Sequence, residues 1–152
     1  MELKVPPAIV WIVCALLMRL AGRVAGGLSF SMPAPLWAGL MVLCVIGGFG
    51  IAWMGLAAFH RAGTTTHPMQ PDRATALVTG AVYRYTRNPM YLGMALLLLA
   101  WALYLANLAA FSGIVLFVAY ITRFQIIPEE QALSRIFKEE YETYRRSVRR
   151  WI

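Results

Sequence analysis

Histidine and cysteine are scarce in this chain, and acidic side chains are fewer than basic ones. With two histidines, His60 and His67, and two cysteines, Cys14 and Cys44, a structural zinc site has almost no raw material, and no metal is expected. Both cysteines fall inside apolar runs, which argues for packing and against a disulfide framework. Glycines at 39, 47, 48, 50 and 55 lack the G-x-G-x-x-G spacing and follow no strand, so a nucleotide-binding loop is excluded. Charge is sparse as well. Only 14% of the 152 residues are charged and 60% are hydrophobic, against about a quarter and about half in soluble proteins. That deficit excludes an ordinary soluble domain and implies a membrane protein.

What charge there is has a pattern. Fourteen Lys and Arg against seven Asp and Glu give a net charge of +7. The basic residues collect beside apolar runs: Arg61, Arg73, Arg84 and Arg87 in one segment, and Arg123, Arg135, Lys138, Arg145, Arg146, Arg149 and Arg150 in the tail. A nucleic-acid face would spread them over a soluble surface with interleaved aromatics, so nucleic acid is not an expected partner. The clustering follows the positive-inside rule and predicts that both segments lie on the cytoplasmic side of a bilayer, with Arg23 running mildly against it.

The apolar runs predict an all-α, multi-pass bundle forming one domain over 1–152, with about four membrane spans at 5–25, 35–59, 89–106 and 108–126. A signal-peptide reading of the first run fails because its basic leader is weak, Lys4 being offset by Glu2. Residues 91–122 carry no charge and are too long for one ordinary span, which predicts a helical hairpin near Asn107. Gly22 and Gly26 form a small-xxx-small pair suited to close helix approach, and Arg19 either snorkels to the interface or faces the bundle interior. A polar connector, 60–88, joins the second and third spans. From 129 to 150 the sequence predicts a C-terminal amphipathic helix with Leu133, Ile136, Phe137, Tyr141, Tyr144 and Val148 at helical spacing. Four spans place both termini on the same, cytoplasmic, side.

Two clusters carry chemistry. Arg87-Asn88-Pro89-Met90-Tyr91 sits where the connector meets the third span, and Pro128-Glu129-Glu130 opens the tail. Each also reads as a plain helix start: Asn88 as a cap before a first-turn proline, and the glutamates as partners of a helix dipole. Two such starts on one membrane face can converge on a polar pocket, with exposed amides for a carboxylate, Arg84 and Arg87 as donors, and Glu129 and Glu130 as acceptors. Tyr83, Tyr91, Tyr141 and Tyr144 offer π faces to a purine or a sulfonium. This inventory suits S-adenosylmethionine.

Leu77-Val78, Gly80, Tyr83, Arg87-Asn88-Pro89, Tyr91 and Gly93, followed by Glu129-Glu130, Leu133, Phe137, Tyr141, Tyr144 and Val148, resemble the two blocks of the isoprenylcysteine carboxyl methyltransferase and phospholipid methyltransferase family of integral membrane enzymes. The resemblance covers about residues 64–152. It implies an S-adenosylmethionine-dependent methyltransferase, leaving S-adenosylhomocysteine, with a cofactor pocket made by Thr75, Ala76, Leu77, Val78, Tyr83, Arg87, Asn88, Pro89, Met90, Tyr91, Glu129, Tyr141 and Tyr144. It places Arg123, Gln125 and Glu130 nearer the transfer site, as catalytic candidates. The acceptor would be lipophilic: a prenylated cysteine carboxylate, a lipid amine or a thiol. Two departures stand out, Asn88 where many members have His and Lys138 where many have Gly. Asn cannot titrate near neutrality, so an imidazole base is not available at 88. The competing readings are an NADPH-dependent sterol-type membrane reductase and a non-enzymatic membrane subunit whose basic tail binds anionic lipid.

Overall fold

The computed structural model describes residues 5–63 and 75–152. Glu2, Lys4, His67, Arg73 and most of the first half of the connector 60–88, used in the sequence reading, lie outside the described residues. Among the described residues five α-helices follow one another: α1 Pro7–Val24, α2 Ala34–Ala62, α3 Pro89–Leu105, α4 Ser112–Ile121 and α5 Ile127–Ser147. Among the described residues there is no strand, only an isolated bridge between Ser29 and Asn107. The all-α membrane bundle expected from the sequence is the fold. Proline in the first turn starts α1, α2 and α3, where its fixed φ suits a helix and its missing N–H costs nothing. Length and composition let α1, α2 and the run from Leu108 to Ser147 cross a membrane. At 17 residues, α3 sits at the short end of the spanning range.

Helices α1, α3 and α4 enclose the main core around Cys14, Met18, Leu98, Phe117 and Ile121. Indole N–H groups bind carbonyls across helices: Trp11 to Met94 at 3.0 Å, Trp101 to Ala15 at 3.0 Å and Trp37 to Leu103 at 2.8 Å. In hydrocarbon, where no water competes, such bonds help to fix helix pairs. Helix α2 lies on α3, and its buried residues are Gly48 and Gly55. A Cβ on Gly93 would stand 2.5 Å from the Gly48 carbonyl oxygen, so these glycines permit the close approach. The pair singled out from the sequence does not: Gly22 meets only Asn107 and Gly26 has nothing within 4 Å. Arg19 is exposed and does not face the interior.

The α3–α4 hairpin turns on Asn107, which is 2% exposed. Its Oδ1 accepts from Ala109 N at 2.9 Å, and its Nδ2 donates to the carbonyls of Ala25 at 2.8 Å and Gly22 at 3.3 Å. One amide therefore closes the turn and pins it to the end of α1.

Two expectations about the tail are corrected. Pro128-Glu129-Glu130 is not a helix start, because α4 continues into α5 through a π-helical turn, Thr122–Ile126. The wider turn carries an Ile127 N–H to Thr122 O bond and accommodates Pro128, which has no N–H and whose ring crowds the preceding turn of an α-helix. Free amides of a helix start are therefore absent at Glu129. Nor is the tail a single helix over 129–150. It breaks at Lys138, with φ 45° and ψ −117°, and ends at Ser147. That positive-φ backbone favours glycine, which accounts for the Gly that many family members have here and makes Lys138 a strained departure from it.

Asn107→Ala should lower stability by about 1–3 kcal/mol through the orphaned carbonyls and lost closure, measured by thermal unfolding in detergent. Lys138→Gly should raise it by about 0.5–1 kcal/mol, the relieved backbone strain exceeding the added unfolded-state entropy. A Tm unchanged or lowered in Lys138→Gly would show that the strain is offset locally.

Candidate active site at the polar end of the bundle

Because α5 breaks at Lys138, the chain turns back, and residues 20 apart in sequence meet. An uninterrupted helix would hold residues 130 and 150 about 30 Å apart. Instead Arg150 grips Glu130 with two bonds, Nε to Oε1 at 2.9 Å and an Nη to Oε2 at 2.8 Å. Arg87, just before α3, adds a 3.2 Å contact to the same Oε1. The paired fork geometry is the strongest arrangement open to a guanidinium and a carboxylate.

Residues 149–151 are fastened by main-chain bonds as well. Arg87 N donates to Arg149 O at 3.0 Å. The Arg150 carbonyl accepts from Asn88 Nδ2 at 2.9 Å and from Thr86 Oγ1 at 3.3 Å. Trp151 Nε1 donates to Thr122 Oγ1 at 3.1 Å, tying the segment to the π turn. Asn88 therefore occupies the cap position of α3 without capping it: its side chain makes no cap bond, and its amide serves the returning segment instead.

Beside this clasp lies a second carboxylate with different company. Glu129 Oε1 accepts from the Tyr91 hydroxyl at 2.5 Å, and no guanidinium reaches Glu129 among the described residues. Burial pushes the Glu129 carboxyl up to about 8, the neighbouring Glu130 adding to the rise and the Tyr91 bond opposing it. Among the described residues the adjacent glutamates thus differ, Glu130 being paired with two guanidinium groups and Glu129 with a hydroxyl.

Tyrosines form the wall. Tyr83, Tyr141, Tyr144 and Val148 make a second buried cluster, with Leu77, Val78, Phe59 and Phe137 packed around it. Tyr144 donates its hydroxyl to the Tyr83 carbonyl at 2.8 Å, and Arg87 donates to the Tyr141 hydroxyl at 3.2 Å. Burial raises the Tyr83 and Tyr144 phenols well above their usual range and Tyr141 to about 12, so all three remain neutral donors. Ala81, at φ 53°, starts the short turn Ala81–Arg84 that presents Tyr83.

The structure thus gathers Leu77, Val78, Tyr83, Arg87, Asn88, Tyr91, Glu129, Glu130, Tyr141 and Tyr144. Pro89 is buried in the first turn of α3 beside Gly55, and Met90 is half-buried there. Thr75 is exposed and Ala76 half-buried at the edge of the described connector. Two catalytic candidates point elsewhere. Gln125 is buried and donates to Val5 O of the chain before α1 at 2.6 Å, and Arg123 is exposed, its guanidinium 5.4 Å from the Phe124 ring centre. The sequence reading missed Thr86, Arg150 and the Trp151–Thr122 tie. Its one available signal was the acidic pair itself, which needs counter-cations that Arg87 alone does not supply.

A family profile described as phospholipid methyltransferase matches residues 36–140, more than two thirds of the chain. The chain belongs to the phospholipid methyltransferase family. Membership implies methyltransferase activity, and with the long apolar helices it makes this an integral membrane protein. The family match runs from α2 into α5 and stops short of Tyr141, Tyr144 and Arg150. An uncharacterized protein of Haemophilus influenzae is 46% identical over 63 residues, which is 41% of this chain and all of that protein. No solved structure matches the chain.

Asn88→Asp should lower stability about as much as Asn88→Ala, by about 1–3 kcal/mol, because neither side chain can donate to the Arg150 carbonyl. An Asp variant as stable as the parent in thermal unfolding would mean that capping, not the tie, is what Asn88 contributes.

Proposed function

We propose that the protein transfers a methyl group from S-adenosylmethionine to a lipid acceptor dissolved in the bilayer. The observation that carries this reading is the Tyr91–Glu129 pair: a carboxyl that among the described residues has no cationic partner, held by one hydroxyl beside a neutralised neighbour. The residues present fit the cofactor. Glu129 suits its ammonium, and the tyrosine wall suits adenine and a cationic sulfur. Arg87 has a buried Nε without a hydrogen-bond partner, a donor suited to a carboxylate. When bound, S-adenosylmethionine supplies a methyl group on a sulfonium, ready for direct displacement. The chain's task is then to position and to exclude water. Tyr91 sets the direction of the Glu129 carboxylate, Arg87 is held by Glu130 and Tyr141, and the neutral phenols keep the pocket dry.

The family's description favours a phospholipid amine over a thiol or a prenylated carboxylate as acceptor. Entry of that lipid from the bilayer and of the cofactor from the aqueous side agrees with a site at the end of the spans. Arg84, Arg145, Arg146 and Arg149 are exposed around that end, which supports a cytoplasmic orientation with both termini on that side.

Calorimetry in detergent should detect S-adenosylhomocysteine and not NADPH, and labelled S-adenosylmethionine should deliver methyl to extracted lipid. Preference for NADPH would replace this reading with a reductase. Glu129→Gln should weaken S-adenosylhomocysteine binding by about 1–3 kcal/mol. The pH dependence has a definite sign. A carboxyl raised to about 8 is protonated in the folded protein where an ordinary glutamate is ionised, so ionising it costs stability as pH rises through that window, and a bound cation offsets the cost. Affinity should therefore rise from about pH 6.5 to about pH 8.5 in the parent and stay flat in Glu129→Gln. Parallel profiles would assign the cation to another group.

A further inference from the structure

Arg150 lies outside the residues that the family profile matches, yet it makes the most complete contact in the site. Both oxygens of Glu130 are taken by its guanidinium, Oε1 at 2.9 Å and Oε2 at 2.8 Å. Arg87 reaches only Oε1, at 3.2 Å, and spends its other terminal nitrogen on Tyr141. Without Arg150, Oε2 of Glu130 would be left with no partner among these contacts, one residue away from Glu129.

We propose that Arg150 is a positioning residue: by occupying both oxygens of Glu130, it keeps that carboxylate from competing with Glu129 for the cationic groups of the bound methyl donor. This rests on the methyltransferase reading. A methyl donor of that class carries two cations, an ammonium and a sulfonium, and two adjacent free carboxylates would offer them two registers. Clasping one carboxylate leaves a single register. Arginine suits the task where lysine does not, since a planar fork fills both oxygens at once and an ammonium fills one. The same side chain stands on a segment anchored through main-chain atoms to Thr86, Arg87 and Asn88, so the guanidinium is presented from a fixed backbone. Losing the side chain leaves those anchors in place.

The arrangement separates a positioning role from a structural one. Arg150→Met should fold with a Tm within a few degrees of the parent and bind S-adenosylhomocysteine, which lacks the sulfonium charge, within about threefold. Its kcat should fall tenfold or more while the KM for S-adenosylmethionine stays level or drops, because a freed Glu130 stabilises the misplaced cation in the ground state. Arg150→Lys should fall between. Adding Glu130→Gln to Arg150→Met removes the competitor and should recover at least half of the lost kcat on a logarithmic scale. Two results would overturn the proposal: full activity in Arg150→Met, or a parallel loss of Tm, S-adenosylhomocysteine affinity and kcat that the second substitution does not repair. A parent protein that neither binds S-adenosylhomocysteine nor transfers methyl would overturn the underlying reading and this proposal with it. An active parent with an active Arg150→Met overturns this proposal alone.

Discussion

A carboxylate buried at the end of a membrane bundle must find a cation, and Glu130 finds two, from segments 43 and 20 residues away in sequence. That requirement organises the polar end of the molecule. Arg87 comes from the turn before α3 and Arg150 from the stretch after α5, so one charge joins the start of one span to the chain that follows the last. Thr86 and Asn88 reinforce the junction from the α3 side and Trp151 from the π turn.

The fold-back depends on a backbone feature. Lys138 adopts a φ of 45° in the middle of α5, and the stretch beyond that break carries Tyr141, Tyr144 and Val148 to their cluster with Tyr83. The π turn at Thr122–Ile126 does the complementary job one helical stretch earlier, carrying the fourth apolar run past Pro128 without ending it. Departures from α-helical geometry therefore sit on both sides of the Glu129-Glu130 pair. Such local deviations are costly and persist where the surrounding contacts hold them. Here the ties of residues 149–151 to Thr86, Arg87, Asn88 and Thr122, together with the tyrosine layer, are those contacts.

The apolar half of the molecule follows simpler rules. Glycine on both sides of the α2–α3 contact sets its spacing, indoles bind carbonyls across helices, and Asn107 closes the hairpin. A groove of about 520 Å³ between α1 and α4, walled by Val5, Ile9, Cys14, Leu17, Leu116 and Phe124, belongs to this apolar half. It contains none of the residues gathered around Glu129 and Glu130.

By itself the sequence determined the all-α membrane class and the apolar runs, and it named most of the residues that the fold brings together around Glu129 and Glu130. Apolar run length is a local property, and a bilayer imposes helices on such runs because no water is there to satisfy the backbone. The motif residues Tyr83, Arg87, Asn88, Tyr91, Glu129, Tyr141 and Tyr144 were legible for the same reason, each standing at a recognisable spacing. Their roles were not. Periodicity read Asn88 as a cap, the glutamates as a helix start and the tail as one helix, since nothing in the local pattern reports a backbone break at a lysine or a helix continuing through a proline. Whether a glutamate is clasped or left with a single hydroxyl depends on which distant cation arrives beside it, and that is decided by the path of the chain between them. Only the tertiary structure, by turning residues 148–152 back onto α3, made Glu130 an anchor and left Glu129 held, among the described residues, by the Tyr91 hydroxyl.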